Sequence, residues 1–543
     1  MSWNPASVKD ATQEARPRTI GPQYIETQRP KVIIVGAGIA GLSLGVLLQM
    51  AGTEFRILER VTEFEHAESA IFLNAMTQKF FKQIGALEEI MSHAKLTNSI
   101  IVANENRKIE YTLEFNEQVK LFGSNGYIIP RRVLHNILVS RIERQNIVMG
   151  KRVLTYIPGN RYVTVKCSTG DLITCDILVG ADGVFSAVRQ NLYNELDVKG
   201  LLPPKDSQDI VLSTVRLVGQ TIPLDPEEFP AVKDEYCQFV RIIGDDKPYS
   251  DSNKVFANTT FDYSQALSMA REIMDFPIIT GGPGEPTMKD FLKYTTTSLK
   301  KIVLEEKLFK TWYHGRVVLL GNGNMNPSGG SGATNSIHDA ISLANYIVSL
   351  PHWCEQKDID HRFKAYQDER MPWIKEAFES NKLFKGMVEK SLKATMIRLY
   401  AKTMTAAVAR SAMMKMNSNR PQAAFLEYVP DTGTVPSEYQ PSYHFTLEIL
   451  KARAVEDAEA AARAQEMNDN AANEMSHISP SSPVMTSKSP LTPALAAIAE
   501  ASAIATARSA ANAAAAAASL PKNALETFQN TPSKAKKPVA TVV

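Results

Sequence analysis

The stretch Lys31-Val-Ile-Ile-Val-Gly-Ala-Gly-Ile-Ala-Gly41, followed by Glu59, decides the fold. It predicts a strand, a glycine-rich turn, a helix, a second strand and an acid, in that order. Val32 to Val35 form an unbroken β-branched run, as in a strand buried on both faces. Gly36 permits a tight turn, Gly38 lets backbone approach a pyrophosphate, and Gly41 lets the helix pack close to the strand. The helix, Ile39 to Met50, aims its N-terminus and the positive end of its dipole at the phosphates. The second strand, Phe55-Arg-Ile-Leu58, delivers Glu59. A carboxylate there accepts hydrogen bonds from a ribose diol and repels a 2′-phosphate. That favours the adenosine of FAD or NAD over that of NADP. A GxGxxG alone is common; the strand before it, the helix after it and an acid about 20 residues on make it specific.

Composition bounds the remaining classes. The 543 residues suffice for two or three packed units, and 44% hydrophobic content suits a globular core. A formal charge of +2 implies neither nucleic acid nor an anionic membrane as a partner. Four cysteines, Cys167, Cys175, Cys237 and Cys354, show no CxxC spacing, and no histidines stand as HxxxH or HxH, so no metal site is expected. The polar segment Met1 to Pro30 lacks the apolar core of a signal peptide. Ala494 to Leu520 is mostly alanine and carries Glu500 and Arg508, which argues against a membrane span. These features predict a cytoplasmic protein, with membrane association confined to surface contact. The Met-rich stretch Met387 to Met416 is expected to pack as support for a substrate domain, a membrane-surface helix being the alternative.

Along the chain, residues 1–29 read as disordered and 30–196 as α/β. Residues 197–304 are β-rich, with strand-like runs at Ile210 to Val218, Cys237 to Ile243 and Lys254 to Phe261. The α/β pattern returns over 305–350, helices follow over 351–454, and 455–543 is a low-complexity Ala/Ser/Pro tail that opens with a charged helix. Four Ser-Pro or Thr-Pro sites in the tail (Ser479, Ser482, Ser489, Thr492) offer kinase targets, an unselected linker being the simpler reading.

Two further motifs turn "dinucleotide" into "flavin". In Cys175-Asp-Ile-Leu-Val-Gly-Ala-Asp-Gly-Val-Phe-Ser-Ala-Val-Arg189 a strand ends in Gly180-Ala-Asp-Gly183, placing Asp182 at the carboxyl edge of the sheet, with Ser186 as a helix cap. In Gly315 to Ala340 a buried strand leads to Gly321-Asn322, and Pro327 to Ala333 form a loop of small residues before a helix. Such a loop turns backbone N–H groups toward a flat polar ring.

These three ordered blocks resemble the group A flavin-dependent monooxygenases, and most closely the fungal FAD-dependent monooxygenases of secondary metabolism. The likeness spans Lys31 to Pro441 and includes Gly126-Tyr-Ile-Ile-Pro-Arg-Arg-Val-Leu134. The resemblance implies a Rossmann-like (GR2-type) FAD-binding domain with an inserted antiparallel substrate-binding sheet, C-terminal helices and a disordered tail. It implies that Gly36, Gly38 and Gly41 hold the pyrophosphate and Glu59 the adenosine ribose. Arg131 falls on the family's FAD-contacting arginine, and Asp182 on its segment for FAD and transient nicotinamide contact. Asn322 would reach the ribityl chain, and Gly332 and Ala333 would present backbone to the isoalloxazine. The implied reaction hydroxylates or epoxidises a small, apolar organic substrate with NAD(P)H and O2 through a C4a-hydroperoxyflavin. No catalytic side chain or metal is assigned. The chain departs from the family at Asn322, where relatives carry aspartate, and in a shorter following loop that lacks their histidine. The second reading is therefore an FAD-binding protein with lost or altered oxygenase activity.

Overall fold

A computed structural model describes residues 31–476 except 65–69, 104–108, 116, 209–210, 219–224, 226, 228–262, 273, 276–286, 296–298, 322–323, 326–331, 352–353, 389–395, 397–398 and 401–402, together with 541–542. The predicted strands at 237–243 and 254–261, residues 1–29 and most of the tail lie outside the described residues.

β1 (Val32–Val35) is fully buried, with Val32, Ile33 and Ile34 at 0% exposure, as its apolar run predicts. Each such side chain contributes about 1.5–3 kcal/mol by leaving water. The chain turns at Gly36 into α1 (Ile39–Met50) and returns as β2 (Phe55–Leu58), parallel to β1 with Val32 opposite Phe55. β3 (Ala70–Leu73) and α2 (Ala75–Gln83) follow, then β4 (Gly126–Pro130) and α3 (Arg131–Val139). β5 (Ile147–Val148) adds in parallel to β2. β6 (Val153–Pro158), β7 (Val163–Cys167) and β8 (Leu172–Cys175) form an antiparallel three-stranded sheet.

β9 (Ile177–Gly180) lies parallel to β1 on its other side, Val32 opposite Ile177, and leads into α4 (Ala187–Val198). β10 (Val211–Val218) pairs antiparallel with β11 (Lys300–Leu308). β12 (Tyr313–His314) and β13 (Val317–Leu319) complete the main sheet, whose order is β12-β13-β9-β1-β2-β5. β13 feeds α5 (Gly332–Val348), which packs on α1. α6 (Gln356–Val388), α7 (Ala406–Ser418) and α8 (Pro441–Ser476) form the helical remainder.

The structure differs from the sequence reading in two places. Residues 30–196 carry antiparallel sheets as well as the parallel one, β3 and β6–β8 among them. Their short alternating strands do not stand out beside the buried Rossmann runs. The helix expected to open the tail begins at Pro441 instead, because its first turns are buried: Ser442 and Thr446 are sealed, and Thr446 Oγ1 donates to the Asn345 carbonyl at 2.8 Å. By chain proximity residues 1–452 and 539–543 form one unit and 453–538 another; in the second, the described helix exposes its side chains over 454–468. Among the described residues no helix is long and apolar enough to cross a membrane.

Candidate FAD site

The carboxyl ends of β1 and β9 lie side by side, since Val35 pairs with Gly180. This brings the Gly36 turn against Ala181 and Asp182. Gly36 has φ +101°, and a Cβ there would lie 2.5 Å from the Ala181 carbonyl oxygen and 2.9 Å from Asp182 Cα. Both the backbone conformation and the close approach therefore require glycine. A Cβ on Gly41 would overlap the Gly36 carbonyl oxygen, so that glycine closes the turn onto the helix. Gly38 is different: it has no neighbour within 4 Å of a built Cβ. It is the N-cap of α1 and has no side chain to satisfy the first N–H groups of the helix.

The turn borders a cleft of about 250 Å³ lined by Gly36, Gly38, Glu59, Arg60, Lys151, Arg152 and Asp182, among others. Glu59 Oε2 accepts the Ala37 N–H at 2.8 Å and Oε1 the Val61 N–H at 3.2 Å. The carboxylate thus fixes the glycine loop while keeping lone pairs for a diol. Lys151 and Arg152 arrive through backbone bonds, Gly150 N–H to Val61 and Lys151 N–H to the Glu59 carbonyl, at 2.8 and 2.7 Å.

Asp182 stands at the start of α4. Ser186 Oγ donates to Asp182 Oδ1, the Val188 N–H donates to Oδ2 at 3.2 Å, and Ser186 Oγ in turn accepts the Arg189 N–H at 2.9 Å. Burial pushes the Asp182 carboxyl up, and these donors pull it back toward the charged form. Ser186 caps the helix as the sequence predicts. Arg189 serves the scaffold: it is buried, donates to the Val184 carbonyl at 2.6 Å and stacks 4.5 Å from the Phe309 ring centroid.

Arg131 opens α3, exposed to solvent, one turn before His135. His135 Nε2 lies 2.9 Å from the Ala37 carbonyl, which assigns the proton to Nε2. Residues four apart share a helix face, so Arg131 lies on the side of α3 that meets the glycine loop. Gly332 and Ala333 open α5; Gly332 is exposed, with nothing within 4 Å of a built Cβ. Asn322 lies outside the described residues. Gly321 before it is wedged between α1 and α5, where a Cβ would lie 3.1 Å from Ala40 Cβ and 2.9 Å from Ser336 Oγ. Arg60, Lys151, Arg152 and His135 were not among the residues singled out from the sequence; none sits in a motif.

The arrangement fits FAD on its own terms: a glycine cradle open at Gly38 and closed by backbone at Gly36 and Gly41, a helix N-terminus with no side-chain cap, and a carboxylate bonded to the loop. Residues 29–227 match the sequence profile of an FAD binding domain. The chain is 25% identical over 367 residues to the FAD-dependent monooxygenase ctvC of Aspergillus terreus, spanning 63% of this chain and 75% of that one. It is 25% identical over 437 residues to the FAD-dependent monooxygenase esdpE of Penicillium shearii, spanning 76% and 83%. Among solved structures, Klebsiella pneumoniae HpxO complexed with FAD and uric acid superposes with a TM-score of 0.56 at 19% identity, covering 72% of this chain and 97% of that one. The tetrameric 2-methyl-3-hydroxypyridine-5-carboxylic acid oxygenase superposes at 0.50 and 18%, covering 73% and 99%. At such identities these two superpositions speak to the fold. Residues 29–227 are thus an FAD-binding domain, and the chain resembles the FAD-dependent monooxygenases of fungal secondary metabolism.

Proposed function

We propose that this chain is an FAD-dependent monooxygenase that oxygenates a small organic molecule with NAD(P)H and O2. The observation that carries the reading is the cradle: Gly36 and Gly41 closed by backbone, Gly38 open, and Glu59 holding the loop from the ribose side. When bound, FAD supplies the two-electron reduction by nicotinamide and the activation of O2.

The chain's own residues bind and orient. The α1 N–H groups and Gly38 take the pyrophosphate, with Arg131 as the cation on the neighbouring helix face. Glu59 accepts from the ribose hydroxyls. Asp182 holds the carboxyl edge of the sheet by fixing the start of α4. Asn322 reaches the ribityl chain, and Gly332 and Ala333 present backbone to the ring. The β10–β11 sheet belongs to the substrate side, with an apolar substrate as the expected class.

The test is an absorption spectrum of the purified protein, followed by stopped-flow mixing with NADPH and NADH under air, with and without candidate substrates. A flavin spectrum bleached by nicotinamide and restored by O2 is the expected result. A protein that takes up no flavin after incubation with FAD refutes the reading. Asn322 in place of aspartate favours the alternative, an FAD-binding protein with lost or altered activity. Stoichiometric FAD that no nicotinamide reduces, across a broad set of added aromatic and terpenoid substrates, would select it.

A further inference from the structure

The Met-rich stretch packs inward only in part. Along α7, Met413 and Met414 lie against Ala75, Leu121, Phe122 and Val435. Another face of the same helix carries Val408, Ala412 and Met416, four residues apart and all exposed, Val408 at 45% and Met416 at 61%. Just before α7 the helical residues Met396, Leu399 and Tyr400 are exposed at 73%, 61% and 62%. With exposed Thr403 they keep the i, i+3, i+4, i+7 spacing of a single helix face. Inward packing thus describes Met413 and Met414, and not the five large apolar side chains Met396, Leu399, Tyr400, Val408 and Met416. Exposed apolar residues scattered singly are ordinary; five gathered on two successive helical segments mark a contact surface.

Charge says what covers it. Between Lys390 and Met416 the sequence holds six lysines and arginines and no aspartate or glutamate. The near-neutral total of +2 conceals this local excess. Arg410 and Lys415 stand at the surface, with Glu117 at 3.2 Å and Glu376 at 2.7 Å. Ion pairs of that kind contribute little and yield to a denser anionic surface. Four of the six cations are lysines, which protein interfaces disfavour and anionic headgroups attract. Methionine and lysine side chains are also long and adaptable, which suits a fluid surface better than a fitted pocket. Among the described residues no helix can cross a bilayer, so the contact such a face makes is interfacial.

We propose that the face formed by Met396, Leu399, Tyr400, Val408 and Met416, with Arg410 and Lys415 beside it, docks this chain onto the surface of an anionic lipid bilayer. The apolar side chains enter the boundary between headgroups and acyl chains, and the cations meet the phosphates and carboxylates above it. The inference is independent of the flavin reading, since neither set of residues belongs to the glycine cradle.

The experiment is flotation of the purified full-length protein with two vesicle preparations, phosphatidylcholine alone and equal parts phosphatidylcholine and phosphatidylserine. The protein should float with the mixed vesicles, at least about tenfold more weakly with phosphatidylcholine alone, and should be released by about 0.5 M NaCl, where surface charges are screened within a few ångströms. Leu399→Glu and Met416→Glu should each weaken binding about tenfold or more, and Lys415→Gln about fivefold, the share of one cation near such a surface. Val198→Glu adds the same charge at a side chain 88% exposed on α4 and should bind as the parent does. Circular dichroism and FAD uptake control for folding, and the lipid and salt dependence of the parent needs no variant.

Failure to float with either vesicle overturns the proposal. So does equal flotation with both, which removes the electrostatic part, and parental binding by folded Leu399→Glu and Met416→Glu, which moves the contact to another segment such as the basic end of the tail. A parent that is dimeric by light scattering, and that these two variants make monomeric without any vesicle binding, assigns the face to a second copy of the chain and overturns it as well.

Discussion

Gly38→Val should remove FAD while leaving the scaffold standing. The residue has φ −75° and ψ 180°, which any L-residue adopts, and nothing lies within 4 Å of a built Cβ. The scaffold loses little more than a favourable N-cap, about 1 kcal/mol, or a few degrees of melting temperature. The ligand loses far more, because the branched side chain fills the space in front of the α1 N–H groups. Hydrogen bonds to a charged group are worth about 1.5–3 kcal/mol each. Displacing a pyrophosphate from two of them costs about 3–6 kcal/mol, a weakening of a hundredfold or more. Gly41→Ala is the contrast. Its Cβ overlaps the Gly36 carbonyl oxygen, so the helix must move, at about 3 kcal/mol or more of overpacking strain. The assay pairs thermal unfolding of the apoproteins with FAD titration. The expected pattern is a stable, colourless Gly38→Val and a destabilised Gly41→Ala. A Gly38→Val protein purified fully yellow, with parental affinity, would refute the assignment of the pyrophosphate to this turn.

Three further outcomes are expected. Asn322→Asp should tighten FAD severalfold by restoring a charged acceptor for the ribityl hydroxyls; equal dissociation constants would show the lost charge to be neutral for binding. Ser186→Ala should lower unfolding free energy by about 1–2 kcal/mol, since the sealed hydroxyl caps α4 and donates to Asp182; denaturant midpoints equal to the parent's would show the cap to be idle. Asp431 accepts from Lys79 at 2.7 Å, Arg420 at 3.1 Å and Ser437 at 2.8 Å. Burial pushes the Asp431 carboxyl up, but the Lys79 and Ser437 hydrogen bonds outweigh it and hold the group well below the usual carboxylate range. A depressed folded-state value gives stability that is present above the unfolded value near 4 and is lost as pH falls below it. Burial draws the partner Lys79 below its ordinary value, while its bond to Asp431 draws it back up. Asp431→Asn should therefore cost about 3 kcal/mol at pH 7 and flatten the stability profile between about pH 4 and 2; a parental slope in acid would refute the assignment.

What the sequence disclosed follows the range of the forces involved. The Gly36, Gly38, Gly41 turn, its strand and its helix are local, and their spacing states the geometry directly; α1 runs from Ile39 to Met50 as expected. The reason for Gly36 was only half visible. Its positive φ belongs to the turn, but the backbone that crowds it is Ala181 and Asp182, brought there by pairing of β1 with β9 across some 145 residues of chain. The cations of the cleft were illegible for the same cause. Lys151 and Arg152 reach Glu59 only because β5 adds to β2, placing Val148 opposite Leu58, and no residue pattern around Lys151 announces that neighbour.

Arg370 is the extreme case. Its window reads as an ordinary charged helix, Asp368-Glu-Arg-Met-Pro-Trp373, in which an arginine is expected to face water. It is 2% exposed because α6 packs on α5 and Asp339 is there to receive it. A motif records the residues that touch a ligand when they lie close together in the chain. The residues that hold those in place are recruited by packing, one from each element that abuts the site, and a single sequence carries no mark of which elements will abut. The same logic assigns the alternatives for this chain their weight. Asn322 is visible as a departure from a pattern, whereas the packing of Gly321, just before it, against Ala40 and Ser336 is not.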